Sequence, residues 1–281
     1  MGRGKVKYLI TGATGSFGSA YIRRHTKDEI VVYSRDWQKQ KALRDELGNP
    51  NNITWVIGDV RDKERLIYAM KNVNVVIHAA AIKCIDACEQ NAIECLMTNV
   101  LGTQNVLDAM RHCNVSKGIL ISTDKAVMPI NVYGTSKKMA EKLWIACGHS
   151  VCRYGNVIGS SGSVLTIYKK LIKEGAKKLP ITDERMTRFW YKMDEAIELV
   201  DKSINNYIPG TVHIPEIPSI KITDLCEALC LPYHVIGVRP GEKLHEYMIA
   251  PDDITGDEGY SSGNNDHFLT VHEIRASIDG V

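Results

Sequence analysis

A doubly wound parallel α/β sheet with a smaller second lobe is the fold the sequence predicts. Three observations carry it. Short β-branched apolar runs alternate with helical patterns through the first half, those runs are continuously apolar, and past Tyr154 prolines and glycines break the rhythm into short elements. Continuous apolar strands belong to a sheet covered by helices on both faces, and strand–helix repeats wind such a sheet in parallel. A chain of 281 residues has room for one sizeable α/β core plus a second lobe.

The elements follow in order. Residues 6–10 read as a strand and 17–25 as the helix behind it; 29–33 and 38–47 repeat the pair. Strands are expected at 53–57, 73–78 and 118–122, with helical stretches between them, the longest a continuous helix over 92–113. A loop rich in Gly and Ser spans 155–163, a helix follows at 166–175, and a last short helix is expected at 271–278. The boundary is placed at a dinucleotide-binding domain over 1–160 and a substrate-binding lobe over 161–281, some of whose segments return to the first sheet.

Composition narrows the function. With 44% hydrophobic and 24% charged residues the chain is neither disordered nor fibrous. Lysine and arginine total 35 against 33 acids, a net charge of +2, so nothing favours a nucleic-acid partner and any bound anion must be held by local geometry. No apolar run reaches the roughly 20 residues a bilayer requires, so no membrane partner is expected. The cysteines sit among apolar residues and no secretory segment opens the chain, which suits thiols in a reducing cytoplasm. Cys84/Cys88 and Cys226/Cys230 are each spaced by four, placing each pair on one helix face. That spacing is wider than a zinc knuckle and wants four converging ligands, so buried helix thiols are expected in place of a metal site.

The first chemistry-bearing motif is Thr11-Gly-Ala-Thr-Gly-Ser-Phe-Gly18. Gly12, Gly15 and Gly18 at spacing three let the backbone turn sharply toward a pyrophosphate, and Ser16 and Phe17 open the helix whose amides face that charge. At the end of the second strand stand Ser34, Arg35 and Asp36, with Lys39 one turn on. Arg35 can stack on adenine and pair with a 2′-phosphate and Lys39 adds charge, which favours NADP over NAD. Asp36 opposes that reading wherever its carboxylate turns inward. Asp59 and Val60 after the third strand can flank the adenine, and Ala79, Ala80 and Ala81 after the fourth are small enough to admit a cofactor.

The fifth strand ends in Ser122-Thr123-Asp124-Lys125, and Tyr133 with Lys137 follows at helical spacing. Four residues on a helix bring phenol and ammonium to one face. An ammonium beside an oxidised nicotinamide stabilises the phenolate, which can then take a hydroxyl proton as hydride leaves the same carbon.

Glycine cradle, Tyr133/Lys137 and Asn99 in a long helix together resemble the extended short-chain dehydrogenase/reductase family. The chain is most similar within it to the C5-inverting UDP-N-acetylglucosamine 4,6-dehydratases, through the cradle, Tyr33-Ser-Arg-Asp36, Ser122-Thr-Asp-Lys125, Arg153-Tyr-Gly-Asn156, Met186-Thr-Arg-Phe-Trp190 and Arg239-Pro-Gly-Glu-Lys-Leu-His245. These motifs run in order over nearly the whole chain. The resemblance implies NADP held tightly and recycled within each turnover, UDP-N-acetylglucosamine as substrate, a homo-oligomer, and a UDP-4-keto-6-deoxy-L-hexosamine as product. It gives Lys125 the C5 proton, Asp124 the protonation of the departing C6 hydroxyl, and Thr123 the positioning of the 4-hydroxyl. Thr98 and Val157 are implied at the cofactor, and Lys83 near both cofactor and sugar. Asn156 is implied on the nucleotide sugar, and Arg188, Arg239 and Glu242 on the uridine diphosphate. An epimerase has no use for an adjacent acid and base, whereas a dehydratase requires them. A retaining dehydratase, a UDP-sugar 4-epimerase and a non-catalytic NADP-binding module are the alternatives. The pattern departs from the family at Cys84-Ile85-Asp86, at Met128, and in a shortened stretch after His245.

Overall fold

The structure, a computed structural model, describes residues 6–252 and 256–278; the outermost residues of the two expected domains, 1–5 and 279–281, lie outside the described residues. In chain order the elements begin β1 (Lys7–Thr11), α1 (Ser16–Arg24), β2 (Glu29–Ser34), α2 (Trp37–Glu46), β3 (Ile53–Ile57), α3 (Lys63–Ala69) and β4 (Val75–His78). Next come α4 (Ile85–Gln90), α5 (Ala92–Cys95), a π-helical stretch (Leu96–Leu101), α6 (Gly102–His112), β5 (Lys117–Thr123), a 3₁₀ turn (Asp124–Ala126), α7 (Val132–Ala146) and β6 (Ser150–Tyr154). The rest is α8 (Val164–Lys173), β7 (Leu179–Ile181), β8 (Thr187–Phe189), α9 (Met193–Asn205), β9 (Val212–His213), β10 (Ser219–Lys221), α10 (Ile222–Ala228), β11 (Tyr233–Val235), β12 (Tyr247–Ile249), β13 (Tyr260–Ser261) and α11 (Val271–Ile278).

Two compact units result, one of Met1–Ser122, Ser136–Cys152 and Ile197–His213, the other of Thr123–Thr135, Arg153–Ala196 and Ile214–Val281. The first is built on a seven-stranded sheet in the order β3-β2-β1-β4-β5-β6-β9, parallel in β3-β2-β1-β4-β5 and in β6-β9. Strand order reverses direction between β1 and β4, and the crevice outside the carboxyl ends of strands at such a reversal is where open α/β sheets hold ligands. Leu9, Val31, Tyr33, Val76, Leu107, Met110, Leu120 and Trp144 form its core.

Most expected elements are present, with bounds moved by a residue or two. β3 differs in texture: Ile53 and Val56 are buried but Thr54 and Ile57 are exposed, because it is the sheet's edge strand. The expected continuous helix over 92–113 is instead α5, a π stretch and α6 in succession. The π register turns Thr98 and Asn99 inward, 4% and 1% exposed. Cys230 does not share a helix face with Cys226, since α10 ends at Ala228 and Cys230 takes a left-handed φ of 58°. Nor are the thiols uniformly buried: Cys84, Cys147 and Cys230 are exposed, and all eight cysteines are free.

The second unit carries three two-stranded sheets, β10-β8, β11-β7 and β12-β13. Ile158, Leu165, Tyr168, Leu179, Trp190, Ile220, Leu225 and Ile274 form its core. Phe189 and Trp190, expected in the core, are 0% and 3% exposed.

Trp144 is the largest fully buried side chain. Its Nε1 donates to the Gly118 carbonyl at 3.3 Å and its ring stacks on His78 at 5.5 Å between centroids. Trp144→Ala removes that packing and leaves a cavity, so stability is expected to fall by about 3–5 kcal/mol, measured by chemical denaturation. A loss under about 1 kcal/mol would mean that the site collapses around the smaller side chain.

Candidate functional site

In the first unit the loop after β1 forms a cradle that excludes side chains. Gly12 has φ +65°, and a Cβ there would stand 2.7 Å from the Ala80 nitrogen. Gly18 lies equally close against Ala13, where a Cβ would stand 2.6 Å from its Cα. Gly15, the N-cap of α1, supplies no side chain to the helix end. Thr98 Oγ1 and Ser122 Oγ, both on this unit, are buried without a hydrogen-bond partner. A glycine-lined loop opening a helix, with orphaned hydroxyls buried in the same unit, fits a polar dinucleotide.

Behind the cradle a buried relay fixes its position. Thr11 Oγ1 accepts from the Ala80 N–H at 3.3 Å and meets His78 Nδ1 at 2.6 Å. His78 Nε2 meets Thr103 Oγ1 at 3.0 Å, and that hydroxyl donates to the Asn99 carbonyl at 2.6 Å. Since Thr103 spends its proton on Asn99, the consistent assignment has His78 donate from Nε2 and accept from Thr11 at Nδ1. Burial, with Lys137 in the same unit, pulls His78 down to about 3, so it stays neutral. Asn99 in turn clamps Ile82, accepting from its N–H at 2.8 Å and donating to its carbonyl at 2.9 Å. Nothing in the local sequence marks this histidine. His78 lies on an apolar strand and its partners are 25 and 67 residues away.

At the end of β2, Arg35 is exposed and reaches Asp59 Oδ2 at 3.6 Å, while Asp59 is held more tightly by Arg61 at 2.8 Å. Asp36 caps α2, accepting from the Lys39 N–H at 3.0 Å, and its Oδ2 lies 3.6 Å from Lys39 Nζ. Ser34 Oγ is taken by Gln40 Nε2 at 3.0 Å. Val60 lies in the core against Gly102, and Lys83 is exposed. Val157 is buried, bridged to Tyr191 in the second unit.

Helix α7 carries Tyr133 and Lys137 one turn apart, 8% and 4% exposed. Lys137 Nζ donates to the Ile121 carbonyl at 2.7 Å, and burial pulls it down to about 8 against the opposing charges of Glu141 and Cys95. Gly134 is required for sterics, since a Cβ there would overlap the Lys125 carbonyl oxygen. Its N–H donates to Asn131 Oδ1 at 2.7 Å, and Asn131 Nδ2 donates to the Gly241 carbonyl at 2.8 Å.

The second unit holds the densest charge cluster. Asp124 is fully buried on the 3₁₀ turn, and its Oδ1 accepts from Thr123 Oγ1 at 2.8 Å and Lys125 Nζ at 3.0 Å. Its Oδ2 is buried without a hydrogen-bond partner and faces Gly155, where a Cβ would stand 3.3 Å away. Lys125 Nζ also donates to Asn156 Oδ1 at 3.2 Å and lies 3.3 Å from Glu246 Oε1. The Lys125 side chain keeps 18% exposure and is reachable from outside, unlike Asp124. Burial works against charge on Lys125, but Asp124 and Glu246 outweigh it and push its proton affinity up. Burial raises Asp124, Lys125 opposes that and Glu246 adds to it, leaving the carboxyl above its ordinary range.

Of the other expected substrate residues, Arg188 is 8% exposed and turned inward, its Nη1 donating to the Thr187 and Leu244 carbonyls at 2.7 and 3.1 Å. Arg239 is exposed, and its carbonyl accepts from the Glu242 N–H at 3.1 Å in a turn. Neither Arg239 nor Glu242 is among the side chains held by Lys125. Glu246, one residue beyond the Arg239–His245 motif, had not been singled out.

Residues 8–263 match the family model described as polysaccharide biosynthesis protein. The chain is 47% identical to a UDP-N-acetylglucosamine 4,6-dehydratase (inverting) of Campylobacter jejuni over 89% of this chain and 79% of that protein. It is 39% identical to a UDP-glucose 4-epimerase of Rickettsia akari over 88% and 78%. Among solved structures, Pen from Bacillus thuringiensis superposes with a TM-score of 0.91 at 29% identity, covering 98% of each chain.

Proposed function

This chain belongs to the polysaccharide biosynthesis protein family, and from that premise we propose that it is an NADP-dependent hydro-lyase. It removes water from UDP-N-acetylglucosamine across C5 and C6 with inversion at C5. The observation that carries the reading is the buried Asp124–Lys125 pair, an acid and a base 3.0 Å apart with one of them reachable. Epimerisation at C4 needs no such pair, and the identity to the dehydratase, 47% against 39% to the epimerase, points the same way.

Bound NADP would supply the redox chemistry, taking hydride from C4 and later returning it to C6 while a solvent proton adds to C5 from the opposite face. Arg35 and Lys39 support the 2′-phosphorylated dinucleotide, because Asp36 is occupied with the α2 cap. Tyr133 takes the 4-hydroxyl proton, and Lys137 stabilises its phenolate. Once C4 is a ketone the C5 hydrogen is acidic. Lys125 as amine removes it while Asp124 as acid protonates O6, which leaves as water. Thr123 Oγ1 accepts from the Lys125 N–H and directs its proton at Asp124 Oδ1 in the resting geometry; once Asp124 holds the acid proton, that hydroxyl can turn and donate to the substrate's O4, positioning it as Tyr133 takes the 4-hydroxyl proton. Elimination leaves an ammonium and a carboxylate, the hydrogen-bonded pair of the resting geometry, and one proton passed from Nζ to Oδ1 restores amine and acid. Exposed Ile93, Leu96 and Leu101 on the 92–112 rod support a homo-oligomer.

Incubation with UDP-N-acetylglucosamine in heavy water, followed by NMR and mass spectrometry, tests this. Loss of water with deuterium at C5 and an L-configured 4-keto-6-deoxy product is the expected result. A C4 epimer with no water lost would establish the epimerase reading instead, and a D-configured product the retaining one.

A further inference from the structure

Glu246 is a buried carboxylate to which the mechanism gives no role. Glu246 is 3% exposed, and its backbone is clamped on both sides by Ser262: the Glu246 N–H donates to Ser262 Oγ at 3.0 Å, and the Ser262 N–H donates to the Glu246 carbonyl at 2.8 Å. Ser262 Oγ also meets Thr187 Oγ1 at 2.8 Å, which meets His245 Nδ1 at 2.8 Å. So Ser262, beside β13 in the polar C-terminal stretch, fixes the backbone of the residue whose side chain meets Lys125. Glu246 Oε1 lies 3.3 Å from Lys125 Nζ, and Oε2 lies 3.7 Å from Lys243 Nζ, itself anchored on the Val127 carbonyl at 2.6 Å. Burying an ion cluster of this kind gains little stability over apolar packing, so its retention points to function.

Nitrogen geometry says which function. An ammonium has three N–H groups, and Lys125 meets three acceptors: Asp124 Oδ1 at 3.0 Å, Asn156 Oδ1 at 3.2 Å and Glu246 Oε1 at 3.3 Å. When the proton between Nζ and Asp124 moves to Oδ1, the N–H bond breaks, an O–H bond forms, and no net charge is created. The two remaining N–H groups are then held by Asn156 and Glu246, and the free electron pair occupies the third direction, the one facing Asp124. A base and an acid hydrogen-bonded to one another at 3.0 Å can reach the C5 hydrogen and O6 only from one side, so the elimination this pair supports is syn.

We propose that Glu246 is a positioning residue for Lys125, holding one N–H so that the amine's electron pair and the acid proton of Asp124 share one side of Nζ. This rests on the dehydratase reading. In the elimination the C5–H bond breaks as N–H forms, and the C6–O6 bond breaks as O6 takes the Asp124 proton and leaves as water.

Glu246→Leu removes the holder; Glu246→Gln keeps an acceptor and removes the charge. With Glu246→Leu, kcat for dehydration and deuterium entry at C5 are expected to fall about a hundredfold, with KM and the near-ultraviolet signal of C4 oxidation retained. Glu246→Gln is expected to recover part of that loss and to move the pH profile. The competent pair holds one proton between Asp124 and Lys125, so gaining a second or losing the last bounds a bell. The charges facing Lys125 are Asp124, Glu246, Arg188 from β8 and Lys243 from Glu246's own segment. Removing the Glu246 anion lowers the proton affinity of the pair, so both limbs shift to lower pH. Wild-type kcat and an unmoved bell in Glu246→Gln overturn the proposal, even where Glu246→Leu fails to fold. Equal loss of oxidation and dehydration in Glu246→Leu also overturns it, as a merely structural effect. A wild type that removes no water overturns the dehydratase reading, and this role with it.

Discussion

Lys125→Met is expected to lower dehydration of UDP-N-acetylglucosamine by about a thousandfold while leaving C4 oxidation in place. Methionine keeps much of the length of the lysine stem and offers no base, so the acidic C5 hydrogen of the ketone has nothing to receive it. Reduced nicotinamide and a 4-keto sugar that still carries its 6-hydroxyl should therefore accumulate, the first seen by near-ultraviolet absorbance and the second by mass. The same substitution has a cost in stability that separates it from a neutral probe. Asp124 is fully buried and Glu246 nearly so, and Lys125 is the cation both of them meet. Removing one partner of a buried ion pair costs about 3–5 kcal/mol, because the remaining carboxylate is left without its countercharge. In this variant the buried carboxyl titrates above its unfolded value, so its contribution is favourable at low pH and lost as pH rises. Lys125→Met should be more stable in mild acid than at neutral pH, measured by denaturation at several pH values. Undiminished dehydration by a folded Lys125→Met protein would take this lysine out of the mechanism.

The contrast between Lys125 and Glu246 shows what the chain reveals when read in order. Lys125 stands at the end of an apolar strand beside a threonine and an acid, eight residues before Tyr133, so local spacing alone marks it. Glu246 lies 121 residues further on, next to a histidine and before the short apolar run Tyr247-Met-Ile-Ala250, with nothing local to mark it. Only tertiary pairing brings it to Lys125, and no periodicity encodes that. The cradle was legible for the opposite reason: Gly12, Gly15 and Gly18 are a local backbone requirement. His78 was hidden because a histidine on a buried strand looks like any core residue until Thr11 and Thr103 are found on either side of it. The π stretch at 96–101 escaped because one residue of extra winding barely disturbs an apolar period, yet it is what turns Thr98 and Asn99 inward. Asp36 is ambiguous in sequence because an aspartate before a helix can serve either as a cap or as a ligand, and its hydrogen bond from the Lys39 N–H shows the cap.

Lys137→Met should abolish turnover and at the same time raise the stability of the cofactor-free protein at neutral pH. The ammonium of Lys137 is 4% exposed, and the hydrogen bond to the Ile121 carbonyl does not offset its burial, which pulls the group to about 8 from the usual 10.5. Below about 8 the lysine is charged in both folded and unfolded chains, and the folded state bears the full burial penalty. Between about 8 and 10.5 the unfolded chain binds more protons than the folded one, so stability rises with pH through that window. The whole gap is worth about 3 kcal/mol. A neutral methionine removes the penalty, so the variant should gain stability at pH 7 and lose the wild type's rise at alkaline pH, both read from denaturation curves on the cofactor-free forms. Catalysis moves the other way. In the proposed mechanism the Lys137 ammonium stabilises the Tyr133 phenolate, and without that charge the tyrosine returns toward its ordinary, poorly basic state. Turnover should fall by about a thousandfold or more. A stability profile as steep in Lys137→Met as in the wild type would show that another group carries the alkaline rise, and that the ammonium of Lys137 is not held under strain for the reaction.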